Sequence, residues 1–437
     1  MLRRAAIPLV LAVCCAGCAT AAKTAAARGD EAALRAAIDR GHRAGTISDE
    51  EAADVARLVA ARDLERATGA DAMTRVRDVR ACAKELDDAL EARAKLHDDA
   101  GAEAALALID AGVWDASDAR RWLSDASDAW RAVGTRALTR AEDAGARRKA
   151  MLDPVPRVRL SALRAAHEAR DPGDLDGLVD AARRDPEPLA RNTAVRAIAA
   201  CADAKTAPLA VTNLRDLWTN GDDAVREDIA VAWGMPALAA AGGAEALRVL
   251  VASGHGPGAI AGAAAIARGD AAAFDAATRA SAIGLLARTI EQGSRRDTAF
   301  AVAVIPTSEP RALEALRKAT DATSELELRL AAWSRLTESP ADRAAAIAAL
   351  EAFGSPKTEI KLASRARLAL AAAGDLRIQA WIEQDLASDD PSQRLLAASA
   401  LSSLGRAARG APLLVDKDPR VRTRAACTML AARRAMR

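Results

Sequence analysis

Apolar residues recur at intervals of three and four positions along most of the chain. The stripe that starts at Val158 continues through Ala162 and Ala166, and the stripe that starts at Leu175 continues through Leu178. This spacing places apolar side chains on one face of an α-helix. The pattern therefore predicts an all-α protein built from amphipathic helices in series.

A short motif returns along the chain and marks where helices begin. Residues 153–163 read DPVPRVRLSAL, and residues 185–195, thirty-two positions on, read DPEPLARNTAV. Related segments occur at 222–230, 390–397 and 418–425, and the last two are twenty-eight residues apart. Asp is a favoured N-cap and Pro is preorganised for the first helical position, so each Asp-Pro step predicts a helix start. An internal repeat of this length indicates stacked helix pairs.

The repeat resembles the HEAT family, in particular its short, PBS-lyase HEAT-like form with the signature Asp-Pro-x-Val-Arg-x-x-Ala. The match is strongest over residues 153–233 and 385–430, and between them the helical stripes lack Asp-Pro. The resemblance implies an α-α superhelix, that is, a helical solenoid over residues 151–435. A separate N-terminal helical region is expected at 29–150, with degenerate repeats as one reading of it.

In the HEAT family the motif Asp and Arg form a ladder of ion pairs along the stack. The resemblance implies this structural role for five Asp and five Arg of the chain. The alternative is that these arginines bind an anionic ligand. The ladder residues are Asp153, Arg159, Asp185, Arg191, Asp222, Arg226, Asp390, Arg394, Asp418 and Arg422.

The N-terminal helical region carries its own start signals. Ser48 and Glu51 form a capping box that predicts a helix as far as Arg66. A long helix is predicted from Asp71 to about His97, because its apolar residues follow the alternating spacing of a coiled-coil seam. The seam is short, so we expect it to pack in an intramolecular hairpin; dimerisation is the alternative.

Two copies of Asp-Ala-Ser-Asp-Ala, at residues 115–119 and 125–129, lie beside three tryptophans. We interpret the copies as two helix starts, and Trp114, Trp122 and Trp130 as a small satellite core. A tryptophan cluster that stacks on a ligand is the alternative.

The first residues have the features of an export signal. Arg3 and Arg4 precede an apolar run, and Ala16-Gly17-Cys18 follows it. This end resembles a bacterial lipoprotein signal, although Cys15 stands where the family usually has Leu. The resemblance implies that residues 1–17 are removed, that Cys18 is lipidated, and that residues 18–28 form the lipidated Cys and a tether. An ordinary secretory signal cut near Ala16 or Ala19 is the alternative.

The residue after Cys18 is Ala19, whereas Asp at that position is the usual signal for retention in the inner membrane. The resemblance therefore implies a lipid-anchored protein of the cell envelope, at the bacterial outer membrane.

Composition and charge narrow the function classes. Hydrophobic residues make up 51% of the chain and aromatic residues 2%, which disfavours a β-sandwich or barrel. The 62 basic residues include Arg3 and Arg4, so removal of residues 1–17 leaves 60 basic against 60 acidic side chains. A protein without net positive charge does not attract the phosphate backbone of nucleic acid, so we expect no nucleic-acid partner.

Cysteine and histidine give few candidates for chemistry. Cys82, Cys201 and Cys427 remain after processing, and their apolar helical surroundings predict buried free thiols. Their spacing fits no zinc motif, and the four His residues form no metal or catalytic motif. We therefore predict no catalytic residue, no cofactor and no metal. The glycine-rich stretch Gly254 to Gly258 is interpreted as a turn between helices; an anion cradle is the alternative.

The function expected from these features is a non-catalytic scaffold that is anchored to the membrane by lipid and binds protein partners on the solenoid surface. Two alternatives belong to other classes. One is a HEAT-like enzyme of the lyase or DNA glycosylase type, and the other is a structural envelope protein that self-associates or binds peptidoglycan.

Overall fold

The structure is a computed structural model that describes residues 21–435 except 222, 255, 270–272 and 322. Over these residues it consists of helices and turns, without a β-strand. The predicted all-α fold is therefore confirmed.

The helices of the first half are, in chain order, α1 (residues 21–28), α2 (Glu31–Ala44), α3 (Asp49–Arg66), α4 (Gly69–Val79), α5 (Asp87–Ala94), α6 (Asp99–Asp110), α7 (Asp128–Arg136), α8 (Ala144–Ala150), α9 (Pro156–Ala169), α10 (Leu175–Arg184), α11 (Pro188–Cys201), α12 (Ala207–Asn220) and α13 (Asp223–Trp233).

The helices of the second half are α14 (Pro236–Leu238), α15 (Ala244–Ser253), α16 (Gly256–Arg268), α17 (Ala276–Gln292), α18 (Arg295–Val304), α19 (Pro310–Ala319), α20 (Leu326–Leu336), α21 (Arg343–Gly354), α22 (Ile360–Ala372), α23 (Gln379–Asp385), α24 (Pro391–Ser403) and α25 (Pro419–Ala435).

Several connections are themselves helical. A π-helical segment joins α14 to α15, and the other segments are 3-10 turns. The π-helical segment is Ala239–Gly243, and the 3-10 segments are Arg80–Leu86, Ala116–Trp122, Ala141–Asp143, Pro172–Asp174, Leu376–Ile378 and Ala407–Val415.

The chain forms two compact units. The central unit spans Asp115–Ala344, and the terminal unit combines the described residues up to Trp114 with those from Ala345 on. This division differs from the one expected at residue 150. The reason is that α3 and α4 pack against α25, so the two ends of the chain share one core.

The central unit is a helical repeat. The helices α7, α9, α11, α13 and α16 pack side by side in this order, and α10 and α12 lie against them as second helices of their pairs. Small residues such as Ala162, Ala194 and Ala263 are buried where the helices meet. The solenoid that the HEAT resemblance implies is thus present in this unit.

In the copies of the motif at 153 and 185, the helix begins at the second proline, not at the proline of Asp-Pro. Pro156 and Pro188 are the first residues of α9 and α11, but Val155 and Glu187 occupy the N-cap positions. The Asp153 and Asp185 carboxylates instead accept hydrogen bonds from the backbone N–H groups of Val155 and Glu187, at 2.8 and 2.9 Å. These two Asp therefore close a turn ahead of the helix, and the predicted N-cap role is wrong for them.

The predicted tether is helical over the described residues 21–28. In this helix Ala22, Ala25 and Ala26 are buried, and Lys23 pairs with Asp54 at 2.8 Å. The tether interpretation is therefore wrong for residues 21–28, because an alanine-rich segment can pack closely against a neighbouring helix. Residues 1–20, including Cys18, lie outside the described residues.

The single helix predicted from Asp71 to His97 is three segments. The α-helix ends at Val79, and the 3-10 segment Arg80–Leu86 contains Cys82 with φ −121° and ψ 27°. Helix α5 then resumes at Asp87. The break coincides with a covalent link, since Cys82 is bonded to Cys427.

The cysteine prediction is correct for one residue of three. Cys201 is a buried free thiol, but Cys82 and Cys427 form a disulfide with a Cα–Cα distance of 5.4 Å. The two residues are 345 positions apart in the chain, so sequence spacing did not suggest their pairing.

Candidate functional site

The ion pair between Arg159 and Asp185 joins two neighbouring repeats. Arg159 donates from Nε and Nη2 to the two carboxylate oxygens of Asp185, at 2.7 and 3.0 Å. Its Nη1 donates to the backbone carbonyls of Asp153 and Pro154, at 3.0 and 3.1 Å. The arginine thus fixes the turn of its own repeat to the acid of the next.

The electrostatics of this pair favour the charged forms. Burial alone raises the pKa of Asp185, but hydrogen bonds from Arg159 and from the Glu187 N–H outweigh burial, so the pKa lies below its ordinary value. The hydrogen bond with Asp185 in turn raises the pKa of Arg159. Both side chains are nearly excluded from solvent, which makes the pair a structural element.

Arg191 makes the same contact with the turn before its helix, whereas Arg226 contacts the last turn of the preceding helix α12. Arg191 donates to the carbonyl oxygens of Asp185 and Pro186, at 2.9 and 3.3 Å. Arg226 donates to the carbonyl of Trp218 at 2.9 Å. Asp222 lies outside the described residues.

In the terminal unit the carboxylate of the ladder differs from the predicted one. Arg394 pairs with Asp416, with Nε and Oδ2 at 2.7 Å, and binds the carbonyls of Ser388 and Asp389. Asp390 and Asp418 instead accept hydrogen bonds from the N–H groups two residues on, at the starts of α24 and α25. The prediction that Asp390 and Asp418 belong to the ladder is therefore wrong.

The physical reason is a two-residue shift of register between the motifs. The arginine binds the carbonyl six positions before it, which belongs to Asp153 for Arg159 but to Ser388 for Arg394. Both versions share the proline that starts the helix. The Asp of the motif, however, lies three positions before that proline in the first version and directly before it, at the N-cap, in the second. An alignment on Asp-Pro therefore matches Asp153 with Asp390, although Ser388 is the residue that takes the place of Asp153 in the structure.

Arg422, the last ladder arginine, pairs with an acid from the N-terminal part of the chain. Arg422 donates from Nε and Nη2 to Asp63 of α3, at 3.0 and 2.8 Å, and from Nη1 to the carbonyl of Asp416 at 2.9 Å. Asp63 therefore occupies the place of the acid of a following repeat. No sequence signal singled it out, because α3 lacks the repeat motif.

Two further buried arginines form ion pairs of this kind but were not predicted from the sequence. Arg147 is fully buried and pairs with Asp174 at 2.6 Å and Asp171 at 3.0 Å. Burial raises the pKa of Asp174, and Arg147 only partly offsets it. Arg367 pairs with Asp385. Arg147 and Asp174 are 27 residues apart in the sequence, and Arg159 and Asp185 are 26 residues apart. This similar spacing was the sequence signal from which the first pair could have been predicted.

Two of the three tryptophans pack against each other in the central unit. Trp130 is buried, and its ring centroid lies 4.6 Å from that of Trp122. Trp114 belongs to the terminal unit, where its Nε1 donates to Glu91 at 3.1 Å. The satellite-core interpretation fits Trp122 and Trp130.

Within the described residues, His, Cys, Asp and Glu form no group of three that could hold a metal ion. Burial raises the pKa of the Cys201 thiol to about 12, which disfavours its reactive thiolate. Gly254, at φ 68°, ends α15 in the left-handed conformation, as expected for a turn. Helix α16 begins at Gly256, so the turn predicted over Gly254 to Gly258 is shorter than expected.

Several large apolar side chains of the central unit are exposed. Leu189 of α11 and Leu209 of α12 are 55% and 54% exposed. Val231 of α13, Met235 in the link to α14 and Val249 of α15 are exposed as well. The same unit contains a polar cleft of about 700 Å³ whose walls include Arg183, Arg184, Arg191, Asp216 and Asn220.

Among the described residues, no single helix has the length and apolar character to cross a membrane. The pair Val225–Trp233 and Pro236–Ser253, bent by 74°, meets that test jointly, by length and composition.

Comparison with known proteins yields no family. No protein-family model and no curated protein sequence matches the chain. A structure of YibA from E. coli is 14% identical with a TM-score of 0.32, over 66% of this chain and 92% of that one. UNC-45 from Drosophila melanogaster is 12% identical with a TM-score of 0.31, over 93% of this chain and 72% of that one. Kap121p bound to Ste12p is 12% identical with a TM-score of 0.26, over 83% and 46%.

Proposed function

We propose that this protein is a membrane-anchored scaffold of the bacterial envelope that binds a protein partner on its central unit. The observation that carries the binding role is the set of large apolar side chains exposed on successive helices of the central unit, among them Leu189 and Leu209. Exposed apolar side chains rimmed by polar ones are typical of protein interaction sites. Stacked helix pairs offer such a surface over several repeats.

The envelope location has two supports. Ala16-Gly17-Cys18 follows a short apolar run, as in bacterial lipoproteins. The disulfide between Cys82 and Cys427 suits an oxidising compartment, because cytosolic thiols are kept reduced. Several acyl chains on Cys18 would provide a stable anchor without basic residues.

The anchor is tested by Cys18→Ala, which we expect to move the protein from the membrane to the soluble periplasmic fraction. The Cys201→Ala variant is the control and should stay with the membrane, since Cys201 is buried in the central unit. Detergent-phase partitioning of the Cys18→Ala variant would contradict lipidation.

The binding surface is tested by photo-crosslinking from Thr193, a half-buried residue one turn after Leu189 on α11, in envelope membranes. We expect a discrete crosslinked partner that is lost in a Leu189→Glu/Leu209→Glu variant. The matched control is Leu376→Glu in the terminal unit, a residue with 50% exposure that should leave the crosslink intact. Equal crosslinking in both variants would place the partner elsewhere.

A further inference from the structure

A small cavity in the terminal unit lies between helices α2 and α3 and the segment that precedes α25. Its volume is about 150 Å³, and its walls include Arg35, Arg62 and Lys417. A water molecule occupies about 30 Å³ of liquid, so the cavity has room for roughly five. A tetrahedral oxyanion fits this space, whereas a nucleotide does not.

The carboxylates in the walls are already paired. Glu31 pairs with Arg66 at 2.9 Å, and Asp63 pairs with Arg422 at 2.8 Å. Asp416 pairs with Arg394 at 2.7 Å. Each acid at the cavity therefore has its own guanidinium, and none is left to balance a further cation.

Three cations at the cavity have no acidic partner within the described part of the chain. Arg35 donates to the carbonyl of Val415, and Arg62 donates to the carbonyl of Ala26. Lys417 has no hydrogen bond or ion pair to any described residue. A carbonyl does not neutralise a guanidinium, and each arginine has five N–H donors, so donors and charge both remain for a ligand.

We propose that this cavity binds a phosphate group. A surplus of three positive charges matches a dianion better than a single carboxylate, and arginine guanidinium groups bind phosphate oxygens with paired N–H donors. The group would contact α2 and α3 on one side and the segment before α25 on the other. It would thereby hold together the two ends of the chain, independently of where the protein resides in the cell.

The test is thermal unfolding and calorimetric titration of the purified protein with inorganic phosphate, against sodium chloride at the same ionic strength. We expect phosphate to raise the unfolding temperature with saturation, and chloride not to. Lys417→Gln should weaken phosphate binding by roughly tenfold, the loss of one charge-assisted hydrogen bond, and leave the unfolding temperature in chloride unchanged.

Lys361→Gln is the matched control. Lys361 is an exposed lysine of α22 in the same unit, and it lies outside the walls of the cavity. Its phosphate affinity should equal that of the parent. A Lys417→Gln variant that binds phosphate as tightly as the parent, or stabilisation by phosphate no greater than by chloride, would overturn the proposal.

A second arm separates the two sources of the phosphate group. Glycerol 3-phosphate, a soluble analogue of a lipid headgroup, is titrated beside inorganic phosphate. Tighter binding of glycerol 3-phosphate assigns the site to a lipid headgroup, and tighter binding of inorganic phosphate assigns it to free phosphate. Both affinities should fall in the Lys417→Gln variant.

Discussion

At the scale of single residues, the buried arginines join one repeat to the next. Arg159 satisfies two turn carbonyls and one carboxylate at the same time, so its removal leaves three groups without their donor. Breaking a buried ion pair costs more than forming it gains, because the remaining charge stays buried. The role of the ladder is therefore positional: it sets the register of neighbouring helix pairs.

Arg159→Ala should lower the free energy of unfolding by about 3 kcal/mol. The control is Arg157→Ala on the same helix, since Arg157 is 47% exposed and lies 3.8 Å from Asp128. An exposed pair of this kind contributes about 0.5 kcal/mol. Urea denaturation of both variants measures the difference, and equal midpoints would show that the Arg159 contacts are energetically unimportant.

At the scale of helices, most starts were predictable to within two residues and the interruptions were not. Pro391 and Pro419 begin helices directly after Asp, as the Asp-Pro step predicts. In the two earlier copies the second proline, Pro156 or Pro188, begins the helix, two residues later than predicted. The helix breaks at Cys82, where the chain is bonded to Cys427, and this tertiary contact has no local sequence signal. The N-terminal helix 49–66 was predicted to the residue, with Ser48 accepting from the N–H of Glu51 at 3.1 Å.

The ladder itself was predictable only in part. The arginines keep their place relative to the helix start, but the acid is set by how the next turn folds. Asp416 and Asp418 are two residues apart, and either one fits a ladder drawn from the sequence. The role of Asp63 could not be predicted from the sequence, because Arg422 contacts it only where α25 packs on α3.

Helix packing in the central unit makes a second prediction, at Gly258 of α16. A Cβ at this position would lie 2.2 Å from the ring of Trp218, which packs against Trp233 at a centroid distance of 5.4 Å. Gly258→Ala should therefore destabilise the protein by about 1 to 3 kcal/mol through overpacking.

Gly145→Ala is the matched control, because a Cβ on Gly145 in α8 meets no atom within 4 Å among the described residues. Here the substitution should raise stability by about 0.5 to 1 kcal/mol, since alanine loses less backbone freedom in a helix. Thermal melts of the two variants should shift in opposite directions. A shift in the same direction would indicate that α16 does not pack on Trp218.

At the scale of the whole molecule, the disulfide joins two residues that are 345 positions apart and so closes a very long loop. Reduction, or the Cys82→Ala/Cys427→Ala variant, should lower the free energy of unfolding by about 2 to 5 kcal/mol, because the unfolded chain regains the entropy of that loop. Alkylation in denaturant gives an independent readout. Of Cys82, Cys201 and Cys427, only Cys201 should react before a reductant is added, and alkylation of all three would contradict the disulfide.

The contact of Arg422 with Asp63 makes the last prediction, because it decides whether the chain ends are energetically coupled. In an open solenoid each repeat is stabilised mainly by its neighbours, and a change near the N-terminus leaves the last helix unaffected. In this protein α3 is the neighbour of α25, and Arg433 of α25 adds ion pairs to Asp54 and Glu50 at 3.1 Å.

Asp63→Ala should therefore reduce hydrogen-exchange protection in α25, although 359 residues separate Asp63 from Arg422. Glu65→Ala, two positions along α3 and exposed, is the control and should leave the exchange of α25 as it is. Unfolding of the Asp63→Ala variant should also begin in α25 before it reaches α9 and α11, since these helices belong to the other compact unit. If protection of α25 is the same in both variants, the two ends touch without stabilising each other, and the terminal unit consists of two independent halves.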